Sequence, residues 1–328
     1  MRIGSPFRQL LPQHRVLSTA ATERSTVGAE IAPDLGYHLV CCFKSASFIE
    51  IRRMTHFGDI DSGYSEPVVA TQLRALDEQL LAGGENWLTV ASAVERTGRS
   101  VSGVRSLLQR LLDQRRLVSP ARGFYVVVPA EYRSWGVVPA TWFIDPMMRH
   151  LGREYYVSLL SAAEVHGAAH QRPQVFQVIT DRPVRDRDIE RVQLRVYTKR
   201  SINSSGVQRV NSHTGTMAVS NPELTVIDMA GQLDHVGGLD ALATVIDELA
   251  GDAMLDGHRF ADVAAHEPRA SVRRAGWIIE HLTDLRLDSV AAEFKTREPV
   301  NLDPFGERRG HVDPRWGVRV NAHPEPES

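Results

Sequence analysis

The sequence predicts an α+β protein: a small module in the layout of a winged helix-turn-helix, followed by a larger mixed α/β domain. Three observations predict it. From Glu66 to Gln114, apolar residues recur at helical intervals, interrupted by glycines and helix-capping residues. Directly afterwards, two short β-prone runs flank the turn Pro120-Ala121-Arg122-Gly123. Past residue 150, alternating apolar runs are mixed with further helical periods. The 328 residues divide accordingly into an extension over 1–62, expected to be poorly ordered, the module over 63–133 and the second domain over 134–328.

The extension lacks sustained periodicity; Tyr37 to Phe43 reads as one short strand, and Met54 is a candidate translation start. The first helix spans Val68 to Leu81. Its apolar residues Val69, Leu73, Leu76 and Leu80 follow helical spacing, Pro67 suits its first turn, and Gly83-Gly84 stops it. A short helix runs from Thr89, as N-cap, to Glu95. After the turn Thr97-Gly98-Arg99-Ser100, Ser100 caps a third helix that reaches Gln114. On it Val101, Val104, Leu107, Leu108, Leu111 and Leu112 share one arc, and Ser102, Arg105, Ser106, Gln109, Arg110 and Asp113 the other. The hairpin pairs Leu117–Ser119 with Phe124–Val128 and carries Arg122 at its tip.

In the second domain, residues 129–143 read as a linker with packed aromatics, and Arg153 to Ala168 as a helix. Val175–Thr180 and Arg191–Val196 alternate as strands around a charged connection, and further short strands flank His213-Thr214-Gly215. Asn221 caps a helix with Pro222 at its first position. Helices follow at Leu239–Ala250, Asp256–Ala265 and Ser271–Leu285, and Trp316–Val320 is a final alternating run.

Composition narrows the function. With 42% hydrophobic residues the chain can bury a sizeable core. The two cysteines are the neighbours Cys41 and Cys42, which excludes a disulfide scaffold and a four-cysteine zinc site. No apolar run reaches the about 18 residues of a membrane span, and the first residues lack a signal-peptide core. A cytoplasmic protein without a membrane partner is therefore expected. A net charge of −2 counts against nucleic-acid binding, but the charge is unevenly spread. Residues 96–122 hold seven arginines against Asp113, a balance of +6. Residues 185–209 hold seven bases against three acids, or +4, and residues 221–267 hold ten acids against Arg259, or −9.

The polar arc of the third helix is unlike an ordinary solvated face, which mixes Lys and Glu at i,i+4. Arginine suits guanine, glutamine suits adenine, and serine suits a base or a phosphate. Ser102, Arg105, Ser106 and Gln109 are therefore candidate base-edge contacts, and Arg99, Arg110 and the hairpin Arg122 candidate phosphate contacts. Arg185, Arg187, Arg195, Lys199 and Arg200 are candidate further contacts to the DNA backbone. The acidic region is expected to face away from DNA.

At "REYYVSLLSAAEVHGAAHQRPQVFQVITDRP" (153–183) the sequence resembles the C-terminal domain of AbiEi-family antitoxins. "RVNSHTGTMAVSNPELTVIDMAG" (209–231) and "RWGVRVN" (315–321) continue the likeness in the same order. The resemblance covers about residues 66–321 and rests on the order and spacing of these segments. It implies an antitoxin of a type IV toxin–antitoxin pair, a transcriptional autorepressor at inverted operator repeats. Its implied partners are double-stranded operator DNA and a cognate nucleotidyltransferase-like toxin, which it counteracts without necessarily binding it.

Enzyme motifs are few. No Walker loop, GxGxxG, GxSxG or HExxH occurs, and neither a cofactor nor a catalytic residue is expected. Asp288 with Glu293 and Lys295 is a fragment of a metal-dependent nuclease pattern, but "LDSVAAEFKTRE" reads as a helix where such a site needs a strand. His166 before Gly167 reads as a helix C-terminus, and His150 and His170 add no ligand spacing. Asp228, Asp234 and Asp240 fit no cation loop and read as solvated or protein-facing acids. The alternatives are thus a nuclease with a winged-helix targeting domain and a ligand-sensing regulator without a toxin partner.

Overall fold

Two hydrophobic cores organise residues 76–168 and 175–326, which the computed structural model describes. The 1–62 extension, with Tyr37–Phe43, Cys41, Cys42 and Met54, lies outside the described residues, as do 63–75 and His170. The smaller core joins Leu76 and Leu80 of α1 (Leu76–Ala82), Leu88 of β1 (Trp87–Thr89) and Ala93 of α2 (Val90–Thr97). Val104, Leu108 and Leu111 of α3 (Val101–Asp113), with Leu117 and Val127 of the hairpin, complete it. The local signals act as read. Thr89 and Ser92 form a reciprocal capping box at α2, and Gly98, at φ 63, closes that helix in the left-handed region. Two residues later Ser100 Oγ accepts from the Gly103 amide at 3.2 Å and starts α3.

The hairpin consists of β2 (Leu117–Ala121) and β3 (Phe124–Val127), joined antiparallel in the sheet order β1-β3-β2. The turn is tighter than expected. Pro120 and Ala121 belong to β2, and only Arg122 and Gly123 connect the strands, Gly123 at φ 76. A shift in pairing between Val118 and Ala121 accommodates Pro120, which has no amide to donate. Strand β1 carries no alternation signal because three residues are too few for a period.

The second core is built on a six-stranded mixed sheet in the order β6-β7-β5-β4-β9-β8. Its strands are β4 (Tyr155–Val157), β5 (Val175–Thr180), β6 (Arg187–Ile189), β7 (Val192–Thr198), β8 (Val207–Ser212) and β9 (Gly215–Ser220). Preceding it is α4 (Ile144–Leu151), and α5 (Leu159–Val165) follows β4. Two expectations fail here. Arg153–Ala168 is not one helix: Tyr155, Tyr156 and Val157 are buried as a strand paired on both edges, with β5 and β9. A strand covered on both faces reads as a continuous apolar run, which periodicity does not separate from a buried helix. Nor is 129–143 a linker. Val137, Val138 and Phe143 are fully buried in the second core, and Gly136, at φ 77, lies against Glu190.

Helix α6 (Pro222–Gly231) is buried nearly all round, from Glu223 to Ala230. Asn221 caps it through the Leu224 amide at 2.8 Å, with Pro222 in its first turn. Around it pack α5, α7 (Gly238–Gly251), α8 (Gly257–Ala264) and α9 (Arg269–Leu282). Next come α10 (Asp288–Phe294), β10 (Val300–Asn301) and β11 (Val318–Arg319), the last two pairing in parallel. Among the described residues no helix is long and apolar enough to cross a membrane.

The last segment is latched onto α9 through Glu280. Its carboxylate accepts from Arg315 Nε at 2.7 Å and Nη2 at 2.6 Å, from the Trp316 indole at 2.8 Å and from the Leu287 amide at 2.8 Å. Burial alone would raise this carboxyl, but the donors outweigh it and hold Glu280 down at about 2, against an ordinary value of 4.5. A depressed carboxylate stabilises the fold above its unfolded value and loses that contribution as pH falls through its folded value. The stability advantage of wild type over Glu280→Gln should therefore shrink between pH 4.5 and about 2 in urea titrations. An advantage constant over that window would refute the latch.

Candidate nucleic-acid interface

Helix α3 is held from beneath. Val104, Leu108 and Leu111 are buried, Leu107 and Leu112 half-buried, and Val101 at the exposed start is the exception at 48%. This anchoring turns Ser102, Arg105, Ser106, Gln109 and Arg110 outward together, all exposed, beside an exposed Arg99. Within the row, Ser106 Oγ donates to the Ser102 carbonyl at 3.2 Å, and Ser102 Oγ lies 3.1 Å from Ser100 Oγ. Gln109 Nε2 donates to Asp113 Oδ1 at 2.9 Å, so its amide must exchange that partner before it reaches a base edge.

The fold sorts the arginines of residues 96–122 into two groups. Arg96 pairs with Glu85 at 2.6 Å, and Arg116 with Asp77 at 2.6 Å and Glu78 at 2.8 Å. Those three acids lie outside the stretch that gave a balance of +6, so the local excess is smaller than the sequence count. Among the described residues no ion pair or hydrogen bond engages the guanidinium of Arg99, Arg105, Arg110, Arg115 or Arg122. Four of these five guanidiniums belong to α3 or the residues flanking it.

The hairpin tip does not project freely. The Arg122 carbonyl lies 3.0 Å from His150 Nε2 on α4, and Phe124 stacks on Trp87 and tilts against His150, both at 5.6 Å between ring centroids. The Arg122 side chain itself is exposed. His150 is thus a docking contact for the hairpin, a role with no signal in its sequence surroundings.

The second basic stretch needs correction. Lys199 is mostly buried. Its ammonium pairs with Asp228 and Glu267, each at 2.6 Å, and donates to the Tyr156 hydroxyl at 3.2 Å, so it is no surface contact for a DNA backbone. Burial would lower its pKa, but the two carboxylates raise it, and it stays charged. Arg195 is neutralised by Asp188 at 2.7 Å and Asp186 at 3.9 Å. Arg185 and Arg200 are exposed, and Arg187 is half-buried on β6. Three bases of five therefore remain as candidates.

The acidic region is not uniformly solvated. Asp234 and Asp240 are exposed, but Asp228 is buried, and its Oδ2 accepts from the Tyr156 and Ser158 hydroxyls at 2.9 Å each. Glu267 is also buried, with its pKa pushed up by burial against the pull of Lys199. Glu223 is buried at the start of α6 and accepts from the Asp256 amide at 2.9 Å and from Arg259. His166 caps α5 as read, but its ring also reaches the Ser220 carbonyl at 2.7 Å, and burial lowers its pKa. Glu293 and Lys295 are exposed at the end of α10, while Asp288 pairs with Arg315 at 2.7 Å. The three lie on or at the end of helix α10 rather than on a strand. Among the described residues no group of three or more His, Cys, Asp or Glu is arranged to hold a metal ion.

One network carried no sequence signal. Asp145 on α4 binds Arg149 at 3.0 Å, Arg209 of β8 at 2.8 Å and the Tyr155 hydroxyl at 3.0 Å. Arg209 and Asp145 stand 64 residues apart, and only the sheet brings them together.

Comparison with known proteins bears on the second domain. Residues 156–281 match the family described as the AbiEi antitoxin C-terminal domain. Among solved structures, the fold is similar to that of the RV2827C protein from Mycobacterium tuberculosis, with a TM-score of 0.57 and 15% identity. The match covers 76% of this chain and 90% of that one. At that identity the likeness concerns the fold. No curated protein matches the sequence.

Proposed function

We propose that this chain, whose residues 156–281 match the AbiEi antitoxin C-terminal domain family, is a DNA-binding antitoxin that represses its own operon. The family match implies a toxin partner. Our reading of that partner is a nucleotidyltransferase-like toxin, counteracted with or without direct contact. Residues 63–133 act in this reading as a winged helix-turn-helix domain and 134–328 as the antitoxin domain.

The observation that carries the DNA-binding part is the sorting of arginines. Arg96 and Arg116 are spent on acids within the fold, whereas no ion pair among the described residues engages Arg99, Arg105 or Arg110 around one exposed helix. Cations left unpaired on a helix held rigidly by its other face suit a phosphate backbone and base edges. Ser102, Arg105, Ser106 and Gln109 would meet base edges in the major groove, and Arg99, Arg110 and Arg122 phosphates. Arg185, Arg187 and Arg200 would extend the backbone contact. Binding rather than catalysis is the activity proposed.

The test is a gel-shift titration on the DNA upstream of the reading frame. Arg105→Ala should cost about 1–3 kcal/mol of specific binding and relax discrimination at one base pair. An unchanged titration removes Arg105 from the interface. Arg122→Ala should weaken binding alike on all sequences and flatten the salt dependence by about one unit. A slope equal to wild type means that the docked hairpin does not reach phosphate. Growth rescue on co-expression with the neighbouring toxin gene tests the antitoxin part separately.

A further inference from the structure

A cavity of about 540 Å³ opens between the hairpin module and the larger domain, a size in the range of small-molecule sites. Its lining includes Trp87 of β1, Arg149 of α4, Arg153, Arg209 of β8, Thr141 and Ser212. Three arginines thus line one hollow. The buried carboxylate there, Asp145, is already saturated by Arg149, Arg209 and Tyr155, and the other acid of the lining, Glu154, is exposed.

Arg149 and Arg153 retain donors, whereas Arg209 directs Nε and Nη2 to Thr216 and Nη1 to Asp145. Arg149 uses Nε toward Asp145, and its side chain is 69% exposed. Arg153 directs Nη1 to the Gly152 carbonyl at 3.1 Å, while its Nε–H is buried without a partner. Guanidinium forks match phosphate oxygens in pairs, and hydroxyls supplement them. The half-exposed indole of Trp87 adds a flat aromatic surface, on which a base can stack.

We propose that this cavity binds a nucleotide, with its phosphates between Arg149 and Arg153, beside the charge of Arg209, and its base against Trp87. The site lies apart from the exposed row of α3. Trp87 stacks on Phe124 of the hairpin, and Phe124 tilts against His150 of α4. A bound nucleotide would therefore touch both the module and the larger domain, linking their positions to its concentration.

Isothermal titration of the full chain tests this, with ATP, AMP, tripolyphosphate, adenosine and a short duplex of unrelated sequence as probes. ATP and AMP should bind, ATP more tightly, and adenosine should not. Arg149→Gln and Arg153→Gln should each weaken ATP about tenfold or more, with thermal melts showing both variants folded. The proposal fails if millimolar ATP gives no binding heat, or if both variants bind it as wild type does. Tripolyphosphate binding as tightly as ATP overturns the nucleotide assignment. Displacement of ATP by the duplex assigns the arginines to a DNA backbone and overturns it as well.

Discussion

Replacing Lys199 by methionine should destabilise the fold by about 3–5 kcal/mol, the cost of removing one partner from a buried ion pair. Two buried carboxylates, Asp228 and Glu267, meet the Lys199 ammonium at 2.6 Å each, and both would lose their counter-charge. Methionine fills much of the same volume, so the loss reports charge rather than a cavity. The pH dependence distinguishes the two. Glu267 already has a raised pKa because of burial, and without Lys199 it loses the group that pulls it down. A carboxyl with a folded pKa above its unfolded value makes the folded state the better proton binder, so stability falls as pH rises. The deficit of Lys199→Met in urea unfolding should therefore be larger at pH 8 than at pH 5. Adding Glu267→Gln should recover part of it. A deficit below about 1 kcal/mol, or one independent of pH, would show that the cluster does not hold these charges as described.

Truncating Trp316 to alanine should cost a comparable amount, about 3–5 kcal/mol. The indole is 1% exposed and sits directly over Gly276 of α9, where any Cβ would overlap its ring. It also donates to Glu280 at 2.8 Å, so the change removes packing and one donor of the latch. Trp316→Phe separates these terms. It keeps most of the ring and should lose about 1–2 kcal/mol, chiefly from the missing hydrogen bond to a charged group. Gly276→Ala should destabilise wild type by overpacking and be tolerated once Trp316 is alanine. Additive effects in that double-mutant cycle would contradict the contact.

The first prediction concerns residues that the sequence presents as unremarkable. Lys199 looks like one base in a basic stretch, and Asp228 like one acid in an acidic stretch. Their partners lie 29 and 68 residues from Lys199 and are placed by β7, α6 and the end of α8. Local charge counts assume that neighbours in sequence share a surface, and a mixed sheet with buried connections breaks that assumption. The same failure affected Arg116, whose acids Asp77 and Glu78 come from α1, and Tyr155–Val157, whose burial on both faces removed the alternation that marks a strand.

Where the signal is local, the reading held in detail. Thr89, Ser100 and Asn221 perform the capping expected of them, because capping depends on residues within four positions along the chain. The two arcs of α3 separate as the helical period requires. By itself, then, the sequence determined the second and third helices of the first module, the outward row on α3 and the family likeness that is matched over residues 156–281, all written in short-range spacing or ordered motifs. Only the tertiary structure decided which charges remain unpaired, that the hairpin tip rests on His150, and that three arginines and an indole surround one cavity. Ion pairing and cavity lining depend on distances of a few ångströms between residues far apart in the chain, and those distances are set by packing.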